Sequence, residues 1–302
     1  MKPLWGIDLG GTKTEGVIFD QDTGNVLCRR RIPTEREKGY DHILDKIRKL
    51  VNSMSHETGL YPEQIGIGTP GTLDPVTNTL KNSNTTCLIG KPLKQDIEEL
   101  LKVNIAIAND ANCFALAETH LGAVHKIQPG AATVFGIILG TGVGGGVIVN
   151  GNMISGKQGI AGEWGHNFLD NSGGACYCGK TGCVETILSG PALEDYYHNL
   201  SGEYKTLKQI SEVSGNGIDI AAEQTIQRLC YFFGKAIAVV INILDPDIIV
   251  VGGGVGNINA IYKDGIAEIK KHVFNNRLET PVVKPVLGDS AGVFGAAMLV
   301  RN

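Results

Sequence analysis

The first residues that could do chemistry follow directly after the apolar segment at the start of the chain. Asp8 is followed by two glycines, Gly10 and Gly11, and then by Thr12 and Lys13. Glycines at a tight turn let backbone N–H groups approach an anion without a Cβ in the way. A carboxylate such as that of Asp8 is a ligand type that suits Mg²⁺. The segment therefore favours binding of a polyphosphate with its Mg²⁺, and the alternative is an ordinary Gly-Gly hairpin with a solvated lysine.

A second group of candidate ligands stands near the middle of the chain. Cys176, Cys178 and Cys183 are close in sequence, and His166 precedes them by ten residues. Three thiolates and one imidazole match a tetrahedral zinc site with no open position, so the zinc would be structural and would order the loop at residues 160–185. The alternative is a set of reduced cysteines that happen to lie close together. Seven cysteines in a chain without a leader pattern favour metal or free thiols over disulfides.

A carboxylate also follows the predicted strand that ends at Ala108. Asn109 and Asp110 stand between this strand and a predicted helix. An ordinary helix N-cap would explain both residues, but a carboxylate at the carboxyl end of a strand can also take the proton of a substrate hydroxyl. Glu163 and Glu185 flank the cysteine segment, and they are either solvated or acceptors for sugar hydroxyls.

Alternating strands and helices predict an α/β architecture for the elements that position these residues. Three strands are expected within residues 4–32, and two more flank a second glycine-rich turn at residues 140–146. Both segments read as strand, glycine turn with threonine, and strand, so the chain is predicted to contain two similar halves. A long buried helix is expected over 218–244. Because no linker separates the halves, a ligand cleft between abutting domains is expected.

Length and composition exclude several classes of protein. The chain has 302 residues, of which 42% are hydrophobic and 19% charged, which is enough for one large domain or two smaller ones. The net charge is −4 and no basic run occurs, so we expect no nucleic-acid or membrane partner. We find no leader pattern and no uninterrupted apolar stretch of about 18 residues, and we expect a cytoplasmic protein.

Together these motifs resemble the ROK family, which groups repressors, open reading frames and sugar kinases on the actin-like ATPase fold. The matching segments span nearly the whole chain and are specific in combination. In chain order they are Asp8-x-Gly10-Gly11-Thr12-Lys13, Gly68-x-Pro70-Gly71, Asn109-Asp110-Ala111-Asn112, Gly140-Thr141-Gly142-x-Gly144-Gly145-Gly146, Glu163-x-Gly165-His166, Cys176-x-Cys178-Gly179-x-x-Gly182-Cys183-x-Glu185, and Asp245-Pro246 followed by Gly252-Gly253-Gly254.

The resemblance implies a two-domain actin-like ATPase (ribonuclease H-like) fold with the active-site cleft between the domains. It implies an N-terminal α/β domain over residues 1–109, completed by a C-terminal helix at 291–302. The C-terminal α/β domain would cover 110–290 and carry the zinc loop at 160–185.

The resemblance also implies roles for the matching residues, with Asp110 as the general base. Phosphates of ATP and Mg²⁺ would be held by Asp8, Gly10, Gly11, Thr12, Lys13, Gly140, Thr141 and Gly142, and the adenosine would pass Gly253 and Gly254. Sugar hydroxyls would be bound by Gly71, Asn84, Asn109, Asp110, Glu163, His166 and Glu185. Structural Zn²⁺ would be bound by His166, Cys176, Cys178 and Cys183. His166 would thus contact both metal and sugar.

The implied reaction transfers the γ-phosphoryl group of ATP to a hexose hydroxyl, which we expect to be the 6-hydroxyl. Several segments, including Lys81-Asn82-Ser83-Asn84, are most similar to the bacterial fructokinase and mannokinase branch. We therefore expect a fructokinase or a broad hexokinase for fructose, mannose and glucose. The alternatives are an N-acetylglucosamine or N-acetylmannosamine kinase and a non-catalytic sugar-sensing regulator.

Two departures from that branch lie near the expected sugar site. Cys87 stands where the branch often has an aromatic residue, and the segment between His166 and Cys176 is short. Family repressors carry a winged helix-turn-helix ahead of the kinase-like core, whereas the phosphate turn of this chain begins at residue 6, which argues against DNA binding. Family members are commonly dimers, so a homodimer is expected.

Overall fold

The structure is a computed structural model that describes residues 2–301. Its strands are β1 (Pro3–Leu9), β2 (Lys13–Asp20), β3 (Val26–Pro33), β4 (Gln64–Thr69), β5 (Thr72–Leu73), β6 (Leu80–Lys81), β7 (Asn104–Asn109), β8 (Thr133–Leu139), β9 (Val143–Val149), β10 (Asn152–Met153), β11 (Ile248–Gly252) and β12 (Val282–Val283). Its α-helices are α1 (Tyr40–Thr58), α2 (Leu93–Leu101), α3 (Asp110–His120), α4 (Ala123–Ile127), α5 (Glu185–Leu188), α6 (Gly190–Ser201), α7 (Leu207–Val213), α8 (Ile220–Leu244), α9 (Gly253–Gly256), α10 (Ile266–His272) and α11 (Ala291–Met298). Short 3₁₀ turns lie at Arg36–Lys38, Thr86–Leu88, Trp164–His166, Asn171–Gly173 and Gly288–Ser290, and a π-turn at Ile261–Gly265 precedes α10.

Two five-stranded sheets have the same topology. The first has the strand order β3-β2-β1-β4-β7, and the second has the order β10-β9-β8-β11-β12. In each sheet an antiparallel hairpin, β1–β2 or β8–β9, is extended on one side by parallel strands. The predicted α/β class is confirmed, and each hairpin carries one of the two glycine turns.

The chain divides into two compact units. The first contains residues up to 120 together with 153–161 and those from 287 onward, and the second contains 121–152 and 162–286. The division differs from the boundary expected at residue 109, because α3 belongs to the first unit. There α3 packs against α11 so closely that a Cβ on Gly295 would lie 1.7 Å from the carbonyl oxygen of Cys113.

The core of the first unit lies on its sheet. The buried residues of α1 follow helical spacing and cover part of the sheet; they are Ile43, Ile47, Leu50, Val51 and Met54. On another part, α11 approaches the strands at two glycines. A Cβ on Gly6 would lie 2.4 Å from the oxygen of Val293, and one on Gly66 would lie 1.7 Å from the oxygen of Ala296. The strand glycines therefore make room for the C-terminal helix.

The core of the second unit is built around α8. This helix has 25 residues, and its N-terminus is capped by Asp219, whose side chain accepts the N–H of Ala222. It is long and apolar enough to cross a membrane by length and composition alone, although 61% of its apolar window is buried within the protein. Phe233 and Ile237 are fully buried in the core of this unit. Packing therefore accounts for its apolar composition.

The glycine-rich segment at 140–146 is only partly a turn, which corrects the prediction. β9 already begins at Val143, so the later glycines are strand residues. A Cβ on Gly145 would lie 2.6 Å from the oxygen of Gly162 and 2.7 Å from Cδ1 of Trp164. These glycines let a neighbouring segment lie flat on the strand, a requirement that arises from packing and has no local sequence signal.

Candidate active site

The first glycine turn joins β1 to β2. The N–H of Gly10 donates to the oxygen of Lys13 (3.0 Å), and the hydroxyl of Thr34 donates to the oxygen of Gly10 (2.7 Å). A Cβ on Gly10 would lie 2.8 Å from the oxygen of Lys13, so the turn requires glycine there. The side chains of Thr12 and Lys13 are exposed. Their exposure leaves a hydroxyl and a cation available at the turn.

Asp8 lies at the base of this turn in a crowded acidic environment. Its pKa is raised from 3.8 to about 6, chiefly by burial and then by the negative charges of Asp110 and Glu15. A Cβ on Gly292 would lie 3.0 Å from Oδ2 of Asp8, and one on Gly68 would lie 3.6 Å from Oδ1. Both glycines leave room for the carboxylate; Gly68 belongs to a segment named above, whereas Gly292 was not singled out from the sequence. A bound cation would relieve the repulsion, so the donor set fits Mg²⁺.

The side chains of Asn109 and Asp110 make different contacts at the start of α3. Oδ1 of Asn109 accepts the N–H of Asn112 (2.8 Å), which is the bond of a helix cap. Oδ1 of Asp110 accepts the adjacent N–H of Ala111 (2.8 Å). Although the side chain of Asp110 is exposed, desolvation by surrounding protein raises its pKa and outweighs the bond from Ala111. A carboxyl group with a raised pKa is suited to accept a proton.

Gly71 and Asn84 belong to the small hairpin β5–β6 and the segment that follows it. A Cβ on Gly71 would lie 2.6 Å from the oxygen of Lys81, so this glycine allows the two segments to touch. The hydroxyl of Ser83 accepts the N–H of Thr85 (3.1 Å), and Asn84 between them is exposed. The first unit thus holds the predicted residues Asp8, Gly10, Gly11, Thr12, Lys13, Gly71, Asn84, Asn109 and Asp110.

The second glycine turn borders a cavity of the second unit with a volume of about 840 Å³. Three of its lining residues, Gly140, Thr141 and Gly254, are among those expected from the sequence to bind ATP. Gly253 does not line the cavity but packs beside it. Its φ is 83°, and a Cβ there would lie 2.2 Å from the oxygen of Leu139, so this position requires glycine. Gly142 faces away from the cavity and towards Glu185.

Most of the cavity wall was not predicted from the sequence. The further lining residues come from or adjoin α6, α7 and α9: Gly190, Pro191, Glu194, Thr206, Leu207, Lys208, Ser211, Glu212, Val255, Asn257 and Ile258. The carboxylate of Glu194 accepts the N–H of Leu207 (2.7 Å) and so joins α6 to α7. These residues lie on amphipathic helices, where the sequence pattern indicates only which face is buried.

Glu163, His166 and Glu185 lie around the cysteine loop of the second unit. Oε2 of Glu185 accepts the N–H of Val143 (2.9 Å), so one carboxylate oxygen holds the second glycine turn. Glu163 is half-buried just before Trp164, whose indole N–H donates to the oxygen of Gly144 (3.0 Å). These bonds attach both ends of the loop to the β8–β9 hairpin.

The four predicted zinc ligands come together. One ligand atom from each of His166, Cys176, Cys178 and Cys183 lies within 4.8 Å of the others. Sγ of Cys178 and Sγ of Cys183 are 3.6 Å apart, and Sγ of Cys176 is 3.6 Å from Nδ1 of His166. A tetrahedral zinc with bonds near 2.3 Å places sulfur atoms about 3.8 Å apart, so the cluster fits Zn²⁺.

The remaining ring nitrogen of His166 has a partner that the sequence did not indicate. Nε2 lies 2.9 Å from the hydroxyl of Tyr177, and the two rings meet edge to face. Tyr177 is itself 78% exposed. A sugar hydroxyl bound at Nε2 would therefore take the place of the tyrosine hydroxyl. The role of His166 in sugar binding stays a prediction, as does the cleft between the domains.

Known proteins are similar to this chain over its full length. The model of the ROK family matches residues 4–302. The N-acetyl-D-glucosamine kinases of Vibrio atlanticus and Pectobacterium atrosepticum are 36% and 34% identical to it over 305 residues, with 98% of each chain covered.

Solved structures extend this similarity to the fold. The ROK hexokinase from Thermus thermophilus has a TM-score of 0.86 at 30% identity, covering 99% of this chain and 97% of its own. A ROK family glucokinase from Streptomyces griseus, solved with glucose and AMPPNP, has a TM-score of 0.80 at 29% identity, with 99% of each chain covered. The expected actin-like ATPase fold is thereby confirmed. The chain belongs to the ROK family.

Proposed function

We propose that this protein is an ATP-dependent sugar kinase that phosphorylates N-acetyl-D-glucosamine. The main observation in favour of phosphoryl transfer is the position of the Asp110 carboxylate. It lies at the start of α3, close to Asp8 and the first glycine turn. The raised pKa of the Asp110 carboxylate suits a general base. A sugar sensor would need neither this base nor the exposed cation of Lys13.

In the proposed reaction the protein mainly positions groups and neutralises charge. Asp110 takes the proton of the attacking sugar hydroxyl, which we expect to be the 6-hydroxyl. Asp8 holds Mg²⁺, and the Gly10–Lys13 turn binds phosphate oxygens through backbone N–H groups and the ammonium of Lys13. Bound Mg²⁺ neutralises the charge of the phosphates. A positioned base typically contributes ~10²–10⁴-fold to the rate.

The cavity of the second unit is proposed to bind the adenosine of ATP. Its volume of about 840 Å³ is ample for a nucleoside, and apolar side chains such as Leu207 and Ile258 offer surface for a base. Gly140 and Thr141 stand at its edge, where the phosphates would leave the cavity. Binding of ATP by this chain is supported by the Streptomyces glucokinase, which was solved with AMPPNP.

The proposed sugar differs from the fructose preference that the sequence segments favoured. Curated relatives at 34–36% identity are N-acetyl-D-glucosamine kinases and support the alternative that the sequence left open. Fructose, mannose and glucose become the alternative candidates for the substrate. The proposed structural Zn²⁺ at His166, Cys176, Cys178 and Cys183 would hold the loop that carries Glu163 and precedes Glu185.

We further propose a homodimer in the cytoplasm that binds no nucleic acid. A patch of exposed apolar side chains in the second unit supports self-association: Val239 is 50%, Ile243 75% and Phe274 98% exposed. The N–H of Phe274 donates to the side chain of Asn242, which places Phe274 next to the part of α8 that carries Ile243. Light scattering after size exclusion should give twice the chain mass, and Phe274→Glu should give a monomer.

The activity is tested by measuring ADP release with five sugars. They are N-acetylglucosamine, N-acetylmannosamine, fructose, mannose and glucose, with zinc content measured on the same sample. We expect the highest kcat/KM for N-acetylglucosamine. A preference for fructose would overturn the substrate, and no turnover by a folded, zinc-loaded sample would favour the sensor.

A further inference from the structure

Beside the first glycine turn lies a pair of polar groups that none of the motifs includes. We propose that Arg36 and Thr85 form, with Gly11, a site for the terminal phosphoryl group of ATP. The proposal rests on the proposed function and deepens it, because it adds a guanidinium and a hydroxyl to the phosphate turn. All three residues belong to the first unit.

Both groups face the side of the turn that glycine leaves open. A Cβ on Gly11 would lie 3.0 Å from Nη1 of Arg36 and 3.4 Å from Oγ1 of Thr85. Within residues 2–301 the N–H of Gly11 donates to no acceptor. The guanidinium of Arg36 and the hydroxyl of Thr85 thus both lie within 3.4 Å of one point beside Gly11. With the N–H of Gly11 they would offer donors for several oxygens of one tetrahedral anion.

The hydroxyl of Thr85 is the observation that points to a ligand. Thr85 is only 2% exposed, yet its Oγ1 has no hydrogen-bond partner anywhere in the described chain. Buried hydroxyls are almost always hydrogen-bonded, so one left without a partner calls for an explanation. A phosphoryl oxygen at the turn would supply the missing partner.

Arg36 differs from the other arginines of this region because its charge is unpaired. Arg29 and Arg31 both pair with the buried carboxylate of Glu15, and Arg30 pairs with Glu57. No carboxylate lies within ion-pair distance of the Arg36 guanidinium among residues 2–301. An exposed cation without a counter-charge is available for an anion.

The backbone that carries Arg36 is nevertheless held in place. Its carbonyl oxygen accepts the N–H of Gly39 (3.1 Å) and the thiol of Cys87 (3.7 Å). The preceding residue, Glu35, has a left-handed φ of 55°, and its carboxylate binds three basic side chains: Lys38, His42 and Lys46. Because the loop is anchored on both sides of Arg36, the backbone that carries the guanidinium is held beside the turn before any ligand binds.

A phosphoryl group fits these donors better than a sugar does. During transfer the bond from phosphorus to the bridging oxygen breaks, a bond to the sugar oxygen forms, and the sugar proton passes to Asp110. The transferred group remains strongly anionic throughout, so a guanidinium beside it stabilises the transition state. ADP lacks this group, which makes Arg36 and Thr85 sensitive to the difference between ATP and ADP.

The test compares Arg36→Gln, Arg36→Lys and Thr85→Val with Arg30→Gln, a matched control whose guanidinium pairs elsewhere. Steady-state kinetics give kcat and KM for ATP and for sugar, and calorimetry with Mg²⁺ gives the affinities for ATP and ADP. We expect Arg36→Gln to lower kcat/KM for ATP about tenfold or more, as for one lost charge-assisted bond. Arg36→Lys should recover part of the loss, and Thr85→Val should show a smaller fall.

The affinity for ADP and the KM for sugar should stay within about twofold of wild type in every variant. Wild-type kinetics in Arg36→Gln would overturn the proposal, as would a loss confined to sugar KM or shared equally by ADP. If the wild-type protein phosphorylates none of the five sugars, the proposed function fails, but calorimetry still decides the site. Even then, the proposed phosphoryl site would be supported if the wild-type protein binds ATP more tightly than ADP and Arg36→Gln loses this difference.

Discussion

Oε2 of Glu185 accepts the backbone N–H of Val143 at 2.9 Å and lies 2.7 Å from where a Cβ of Gly142 would be. The carboxylate thus occupies the space that the glycine leaves open. Since Glu185 follows Cys183 by two residues, it connects the cysteine loop with the second glycine turn inside one unit. Changes in the loop should therefore reach the nucleotide cavity.

Glu185→Ala tests this connection directly. Loss of the acceptor leaves the N–H of Val143 without its partner and opens a space beside Gly142, so the turn loses its support. We expect KM for ATP to rise about tenfold, which corresponds to one lost hydrogen bond to a charged group. Glu185→Gln retains an acceptor oxygen and should raise the KM for ATP much less. Equal effects of the two variants on ATP would contradict the connection.

Removal of zinc should also disturb the contact between the cysteine loop and the second glycine turn. Cys178→Ser takes one ligand from the four-residue cluster, so we expect zinc to fall from about one per chain to near zero. The loop then loosens, and KM should rise for both sugar and ATP. Cys28→Ala, which removes a buried thiol outside the cluster, is the control. Metal-free wild-type protein with unchanged KM values would refute a role for the metal.

Asp110→Asn separates base catalysis from binding. The amide keeps the size of the side chain and an acceptor for the N–H of Ala111, but it cannot take a proton. We expect kcat to fall ~10²–10⁴-fold while the sugar affinity, measured by calorimetry, changes little. Asp41→Asn, an exposed change on α1, serves as the control. Near-normal turnover of Asp110→Asn would remove this residue from the mechanism.

Gly292→Ala should harm activity without harming stability. Alanine has a higher helix propensity than glycine, so the substitution should not weaken α11. The alanine Cβ, however, would lie 3.0 Å from Oδ2 of Asp8, so the carboxylate must shift by a few tenths of an ångström. We expect an unchanged or higher Tm, a kcat about tenfold lower and a higher Mg²⁺ requirement. Asp8→Asn gives the reference for complete loss of the carboxylate, and a wild-type Mg²⁺ titration in Gly292→Ala would contradict the expected contact.

Asp219 makes the second unit sensitive to acid. Lys205 at 2.8 Å and the N–H of Ala222 lower its pKa from 3.8 to about 2. A lowered folded-state pKa stabilises the fold above pH 3.8, and this stabilisation is lost as the pH falls towards 2. Melting curves of wild type and Asp219→Asn should therefore converge between pH 4 and 2. Asp219→Ala also loses the helix cap, at about 1 kcal/mol, and parallel pH profiles would contradict the assignment.

The parts of the site that could be predicted from the sequence are those whose residues lie close together along the chain. Gly10 to Lys13 and the cluster from Cys176 to Cys183 are contiguous segments, so their spacing constrains their geometry. The α/β class followed from alternating apolar patterns for the same reason. Asp110 was found because it directly follows a strand, although only the structure showed that Asn109 serves as the cap.

Long-range packing explains the rest. Leu207 and Ile258 line one cavity although they lie far apart in the sequence, and no local pattern marks them. Gly292 lies beside Asp8 although nearly the whole chain separates them. Gly145 was assigned to a turn because its packing partner, Trp164, could not be identified from neighbouring residues.

Close packing of α11 on Gly6 and Gly66 also bears on how the protein is made. The ribosome produces β1 first and α11 only after the whole second unit has been synthesised. Until then the first sheet lacks the helix that covers its strand glycines, and its apolar face remains open to water and to other chains. We therefore expect the second unit to mature first during translation, and the N-terminal strands to depend on chaperones until the last helix arrives.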